Sequence, residues 1–245
     1  VSDQAVVLVP RRADPERDRI WEWVRRFWAL QVGLPIFEGW HCEHEGPFNR
    51  SAALNRAAES AGDWSAAVVI DADVILDPRM VHGALERTAT DGGPVLGYTE
   101  RCHLAAAGTP RVLRLDPAHL DIRLTGRTWG RWVRGRLRNS CSSCVAVTRG
   151  LWDGVGGFDE GFVGWGYEDI AFRVACETMS GVEMTKIAGA LFHLWHTVSS
   201  GNQPSSPTMA ANKVRCDRYL AARWDREAMA TLLAGERDGD LDAVG

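Results

Sequence analysis

Two acidic motifs, far apart in a chain of 245 residues, carry residue types that do chemistry. Asp71-Ala72-Asp73 follows the apolar run Ala66-Ala67-Val68-Val69-Ile70. A strand that ends in two carboxylates one residue apart sets hard oxygen ligands at a sheet edge, where a divalent cation and a diphosphate can meet. The second motif, residues 156–169, reads GGFDEGFVGWGYED, a glycine-rich turn with aromatic walls that closes on another acid pair, Glu168-Asp169. Asp71 and Asp73 would supply a Mn²⁺ or Mg²⁺ site completed by two phosphate oxygens. On their own the same three residues read equally as a solvated acidic turn. Together the two motifs point to metal-dependent chemistry on a nucleotide-diphosphate donor.

The elements that must position these residues follow from the hydrophobic pattern. Residues 5–9 form a short apolar strand ending at Pro10-Arg11-Arg12, and residues 16–30 carry Ile20, Trp23, Val24, Phe27 and Leu30 at helical spacing. Residues 34–37 read as a second strand, 48–61 as an alanine-rich helix stopped by Gly62, and 66–70 as the third strand. Asp77-Pro78 opens a further helix, with Asp as cap and Pro at the first helical position. Residues 94–100, 111–115 and 141–148 are strand-like, 169–179 is helical, 183–195 contains a strand entering His193-Leu194-Trp195-His196, and 207–233 is largely helical. Alternating strands and helices in the first half predict a single α/β domain whose mostly parallel, twisted central sheet is flanked by helices. In such sheets ligands sit at the carboxyl ends of strands, where Pro10-Arg11-Arg12 and Asp71–Asp73 both fall. Residues 1–100 are expected to form a nucleotide-binding half and 101–224 an acceptor and catalytic half. Residues 225–245 read as a helix end and an acidic tail.

Composition narrows the class. The chain is 45% hydrophobic and 24% charged with a net charge of -4, so its balance calls for no polyanionic partner. No run of about 18 uncharged apolar residues exists, so no membrane span is expected. No secretory leader is visible, and a reducing, cytoplasmic setting fits the scattered cysteines. Cys141-Ser142-Ser143-Cys144 has the spacing of a metal or redox pair, but no second pair accompanies it, and buried free thiols are the simpler reading. Neither G-x-G-x-x-G after a strand nor G-x-x-x-x-G-K-[ST] occurs, which argues against a Rossmann cofactor site or a P-loop. Eleven tryptophans are the compositional outlier, serving core or the walls of sugar and base pockets.

Phe48-Asn49-Arg50-Ser51-Ala52-Ala53-Leu54-Asn55, the Asp-Ala-Asp turn and GGFDEGFVGWGYED occur in an order and spacing that resemble the GT-A glycosyltransferases. The resemblance is to the β-1,4-galactosyltransferase, chondroitin-polymerase and polypeptide N-acetylgalactosaminyltransferase group, and it covers most of the chain. It implies a GT-A-like domain that moves a sugar from a nucleotide-diphosphate donor, UDP-linked, to a hydroxyl acceptor with Mn²⁺ (or Mg²⁺) as cofactor. It further implies that Pro10, Arg11 and Arg12 touch the nucleotide and that Phe48 and Arg50 meet uracil and phosphates. Phe48 reads equally as a hydrophobic staple at a helix start. By the same resemblance Asp71, with Ala72 beside it, binds ribose or helps the metal, and Asp73 ligates the metal. Trp165 lines the donor-sugar and acceptor pocket with Tyr167 beside it, Glu168 bonds sugar hydroxyls, and Asp169 is the catalytic base. The third metal ligand is His193, with His196 as the second candidate, and imidazole beside carboxylate favours Mn²⁺. The retaining polypeptide transferases carry an amide where this chain has Asp169, so the carboxylate favours inversion. The alternatives are a retaining transferase, a glycan or protein acceptor, a donor hydrolase, or a non-catalytic sugar- or nucleic-acid-binding module on a transferase fold.

Residues 123–138, RLTGRTWGRWVRGRLR, concentrate arginines in an otherwise acidic chain. They read as a solvated helix or loop with snorkelling arginines. They read alternatively as an acceptor site in which Arg131 and Arg134 meet phosphates and Trp132 stacks on a base or sugar, with modified nucleic acid the first acceptor to test.

Overall fold

A computed structural model describes residues 4–41, 47–122, 130–133 (backbone only), 141–197 and 207–237. Strand β1 (Ala5–Arg11) is buried along its whole length and lies between β2 (Ile36–Trp40) and β3 (Ala66–Ile70), both parallel to it. Strand β3 pairs antiparallel with β8 (Cys144–Thr148), which continues through β5 (Val95–Leu96) to β9 (Thr185–Lys186). The resulting six-stranded sheet has the order β2-β1-β3-β8-β5-β9. Its all-apolar central strands match a sheet covered on both faces.

The helices form where capping and periodicity place them. Asp14 caps α1 (Pro15–Gln31) by accepting from the Glu16 and Arg17 N–H groups, and Ile20, Trp21, Trp23, Val24, Phe27 and Trp28 are buried on it. Asn49 caps α2 (Arg50–Ser60) through Ala52 N–H, and Asp77 caps α3 (Pro78–Asp91); each cap is worth about 1 kcal/mol. Helix α2 packs on β1 and β2 at very close range. A Cβ on Gly39 would lie 1.7 Å from the Ala53 carbonyl oxygen, so only glycine allows that approach.

The mostly parallel central sheet is as the sequence predicts; a second sheet is an addition. It has the order β4-β10-β6-β7, built from β4 (Val74–Leu76), β10 (Ala190–His193), β6 (Glu100–Leu104) and β7 (Gly130–Val133). The expected strand at 94–100 divides between the two sheets. The strand expected at 111–115 does not form; its first residues end a short helix, α4 (Thr109–Val112), which Pro110 favours by fixing a helical φ in the first turn, and 113–115 are turn and bend. Residues 130–133 of the basic stretch are strand, not helix or loop; the rest of 123–138, Arg134 included, lies outside the described residues. Helix α5 (Arg149–Val155) follows β8, and α6 (Glu168–Ser180) follows the glycine-rich motif. The C-terminal helical region is two helices, α7 (Pro207–Ala221) and α8 (Arg226–Arg237), and Met229 and Leu233 of α8 are buried in the core. Among the described residues no helix is long and apolar enough to cross a membrane.

Tryptophan divides between the two uses the sequence allows. Trp21, Trp23, Trp28, Trp64 and Trp152 are core, whereas Trp40, Trp165, Trp195 and Trp224 are exposed. The five described cysteines are buried and free, and burial pushes the Cys141 and Cys144 thiols up to about 12, which keeps them unreactive.

Candidate active site

The carboxyl ends of β1, β3 and β10 open into one cavity of about 690 Å³. Because β8 runs antiparallel to β3, its leading residues Cys141–Ser143 reach the same end of the sheet. Pro10, Arg11, Arg12, Phe48, Arg50, Asp71, Ala72, Asp73, Trp165, Tyr167, Glu168, Asp169, His193 and His196 all line this cavity. So do Arg17, Arg101, His103, Ser142, Ser143 and Met209, which the sequence reading did not single out. They sit on a helix face, in a strand of ordinary alternation or in a short serine turn, and only tertiary contact marks them.

At one end stands Asp73, buried, with both histidines beside it. His196 Nε2 lies 2.9 Å from Asp73 Oδ2, His193 Nε2 lies 3.6 Å from Oδ1, and Arg17 Nη1 lies 3.4 Å from Oδ2. The backbone enforces this: His193 pairs in register with Val74, and Leu194 N–H donates to the Asp73 carbonyl at 2.8 Å. Burial disfavours the Asp73 carboxylate, but the charges of His193, His196 and Arg17 and the His196 hydrogen bond outweigh it and hold the pKa well below the usual range. Burial likewise opposes the charged His196, and the bond and charge from Asp73 overcome it and raise its pKa. His196 Nδ1 lies 3.0 Å from the Thr197 carbonyl oxygen, an acceptor only, so Nδ1 donates there, and the protonated ring donates from Nε2 to Asp73 as well. Asp73 Oδ1 is buried and accepts no hydrogen bond. One carboxylate with an unused buried oxygen and two imidazoles, ligand atoms all within 4.8 Å of one another, fit a divalent cation of the Mn²⁺ kind. The sequence left one histidine to be chosen; the fold brings both. Asp71 stands outside this cluster.

Arg50 organises the other acids. Its Nε and Nη2 donate to Asp71 Oδ1 at 3.1 and 2.8 Å, and its Nη1 donates to Asp169 Oδ1 at 2.7 Å with Glu168 Oε1 3.8 Å away. Burial opposes the charge on Arg50, but the three carboxylates raise its pKa far above any working pH. Arg50 and Ser143 together pull Asp71 below its ordinary value despite its burial. Asp169 goes the other way: burial, reinforced by Glu168 and Asp71 and only partly offset by Arg50, pushes its carboxyl up to about 8. Burial also raises Glu168. Perturbation of this kind in a cleft marks acid–base candidates.

The segment that delivers Glu168 and Asp169 is held in left-handed backbone. Gly164 and Gly166 have φ of 78° and 103°, and Tyr167, the residue before α6, has φ of 75°, a conformation that costs a non-glycine residue about 1–3 kcal/mol. Its support comes from both sides. Asn55 of α2 exchanges bonds with the Phe158 N–H (2.9 Å) and carbonyl (2.8 Å), Asn49 donates to the Glu160 carbonyl at 2.6 Å, and Gly164 N–H donates to the Phe48 carbonyl at 3.1 Å. From α7, Arg215 grips Asp159 at 2.6 and 2.8 Å, and Asn212 donates to the Val163 carbonyl at 3.1 Å.

At the β1 end, Arg12 lies over the Phe48 ring, 5.9 Å from its centroid. The neighbouring Arg11 is buried; its guanidinium bonds Asp18 and Glu38 and lies against the rings of Trp21 and Trp40. Trp165 stands exposed at the cavity wall. Of the expected acceptor residues on the basic stretch, Arg131 and Trp132 are placed only as backbone of β7, opposite His103 and Cys102.

The fold is that seen in solved GT-A glycosyltransferases. The catalytic domain of Drosophila β1,4-galactosyltransferase 7, solved with xylobiose, superposes with a TM-score of 0.53 at 15% identity, covering 86% of this chain and 79% of that one. Also similar are a variant of the same Drosophila enzyme with manganese, UDP-Gal and xylobiose (TM-score 0.47, 16% identity, 82% and 68% covered). Glucosyl-3-phosphoglycerate synthase from Mycobacterium tuberculosis with Mn²⁺, UDP and phosphoglyceric acid is another (TM-score 0.48, 15% identity, 91% and 78% covered). No family model and no curated protein matches the sequence.

Proposed function

We propose that this chain is a divalent-metal-dependent glycosyltransferase that moves a sugar from a UDP-sugar to a hydroxyl acceptor with inversion. The observation that carries the reading is the charge layout of one cavity. Asp73, His193 and His196 form a cation-binding end, and about Arg50 lie three carboxyl groups, one of them raised to about 8.

In this reading Asp73, His193 and His196 hold Mn²⁺. Such an ion would supply positive charge against the diphosphate leaving group. Arg12 and Phe48 take the nucleotide end. Arg11, committed to Asp18 and Glu38, braces the end of β1 instead of meeting the donor. Arg50 fixes Asp71 and Asp169 relative to each other, and Trp165 and Tyr167 wall the sugar. Asp169 Oδ1 is occupied by Arg50, which leaves Oδ2 for the acceptor hydroxyl. The acceptor oxygen bonds to the anomeric carbon, the carbon–phosphate oxygen bond breaks on the opposite face, UDP departs, and the proton passes to Asp169 Oδ2. A base with a pKa near the working pH suits that task.

The test is UDP release from a panel of UDP-sugars with Mn²⁺ and mixed acceptor pools, with the anomeric configuration of the product read by NMR. Inverted product supports the proposal. Absence of release with every donor, together with intact sugar or nucleotide binding, would replace it with a binding module; a retained configuration would remove the inverting mechanism.

A further inference from the structure

Each other arginine named at this cavity faces a carboxylate: Arg11 faces Asp18 and Glu38, Arg12 faces Asp14, Arg17 faces Asp14 and Asp73, and Arg50 faces Asp71 and Asp169. Arg101 of β6 differs. Among the described residues it forms no ion pair. Its Nη2 donates to the neutral hydroxyls of Tyr98, Ser142 (3.3 Å) and Ser143 (3.0 Å), and its Nε is buried with no acceptor. A guanidinium drawn partly out of water costs free energy that neutral hydroxyls offset poorly; a carboxylate or phosphate offsets it well.

The neighbouring stretch of the sequence is basic. Strand β7 lies beside β6, with Val133 opposite Arg101 and Arg131 opposite His103. From residue 122 to residue 152, a span that includes β7 and the Ser142-Ser143 turn, the chain holds seven arginines and no Asp or Glu. The position is also specific. Ser143, which accepts from Arg101, hydrogen-bonds Asp71, and the Arg101 charge acts on Asp169. Arg101 therefore borders the place where sugar and acceptor would meet, beside Asp71 and Asp169, while the cation cluster of Asp73, His193 and His196 is a separate group.

We infer that the substrate beyond the donor diphosphate carries an anionic group, a carboxylate or phosphate, that pairs with Arg101. This inference rests on the glycosyl-transfer reading above. The same chemistry has two sources: a uronate on the donor sugar or an acid on the acceptor.

The test measures binding of UDP, UDP-glucose and UDP-glucuronate with Mn²⁺ by tryptophan fluorescence. It then measures UDP release with a neutral methyl glycoside against its uronate and 6-phosphate counterparts, in wild type, Arg101→Gln and Arg101→Lys. The wild type is expected to favour the anionic member by about tenfold or more in one arm. Arg101→Gln should erase that preference and Arg101→Lys keep part of it, with affinity for plain UDP unchanged. A gain confined to UDP-glucuronate places the anion on the donor, and a gain confined to the acid acceptors places it on the acceptor. The wild-type comparison stands without either variant. No preference in either arm, or equal loss of plain UDP binding in Arg101→Gln, overturns the inference while leaving the transferase reading intact. Failure of UDP itself to bind removes the transferase reading, and the inference with it.

Discussion

Arg50 and Asp169, 119 positions apart in the chain, meet at 2.7 Å, and the same guanidinium holds Asp71 at 2.8 Å. One side chain from the first turn of α2 thereby couples the two acidic motifs. Because Arg50 stays charged at every working pH, it fixes Asp169 in place whichever protonation state that carboxyl adopts.

Replacing Asp169 by Asn keeps the shape and the oxygen that Arg50 grips but removes the proton acceptor. Turnover is expected to fall about 10²–10⁴-fold with UDP affinity kept. Near-normal turnover would remove Asp169 as the base.

The same substitution should reveal a pH signature in stability. The folded protein holds the Asp169 proton up to about pH 8, whereas the unfolded chain releases it near the ordinary aspartate value of 3.8. Between those limits the native state binds more protons than the unfolded state, so this group makes stability fall as pH rises. Chemical denaturation of wild type and Asp169→Asn across that window should give a difference that grows with pH in favour of the variant and levels off above about 8. A difference that is constant from pH 4 to 8 would contradict the raised pKa.

Asp73, His193 and His196 are each expected to matter for the cation. Asp73→Ala should abolish Mn²⁺-dependent UDP binding, and His193→Ala and His196→Ala should each weaken Mn²⁺ by at least about tenfold, since even indirect partners of a metal site cost that much. Electron paramagnetic resonance of free Mn²⁺ in a titration gives the affinities directly. A histidine variant with wild-type affinity would show that its imidazole only packs against Asp73.

Gly39→Ala tests the fold beneath the site. The added carbon would overlap the Ala53 carbonyl and force α2 off the sheet, which moves Arg50 with it. A loss of about 3 kcal/mol or more in unfolding free energy is expected. Wild-type stability would mean that α2 sits farther from β2 than described.

Asn55→Ala separates support from chemistry. It removes the bonds to the Phe158 backbone and to Glu160 while touching nothing in the cavity. Stability should drop by about 1–3 kcal/mol, and turnover should drop with UDP affinity preserved, because the segment carrying Asp169 loosens. Unchanged turnover would assign Asn55 to stability alone.

The sequence by itself determined the elements whose signal is local. Asp77-Pro78 announces its helix by cap and first-turn proline, and the apolar runs at β1 and β3 declare buried parallel strands. The two acidic motifs name the cavity's chemistry because strand ends and glycine-rich turns are defined by neighbours in the chain. What only the tertiary structure decided depends on distant partners. The short strands β4 and β7 have no periodicity long enough to read, and they exist because β10 and β6 offer edges to pair with. Both histidines reach Asp73 because β10 is registered on β4, a fact no spacing encodes. Arg11 and Arg12 are adjacent and alike in sequence, yet Arg11, the last residue of β1, is buried against Asp18 and Glu38, and Arg12, just past the strand, lies over Phe48. Arg101 had no motif to mark it. Its meaning lies in having neutral hydroxyls as partners and no ion pair among the described residues, which only the placement of β6 against the Ser142-Ser143 turn reveals.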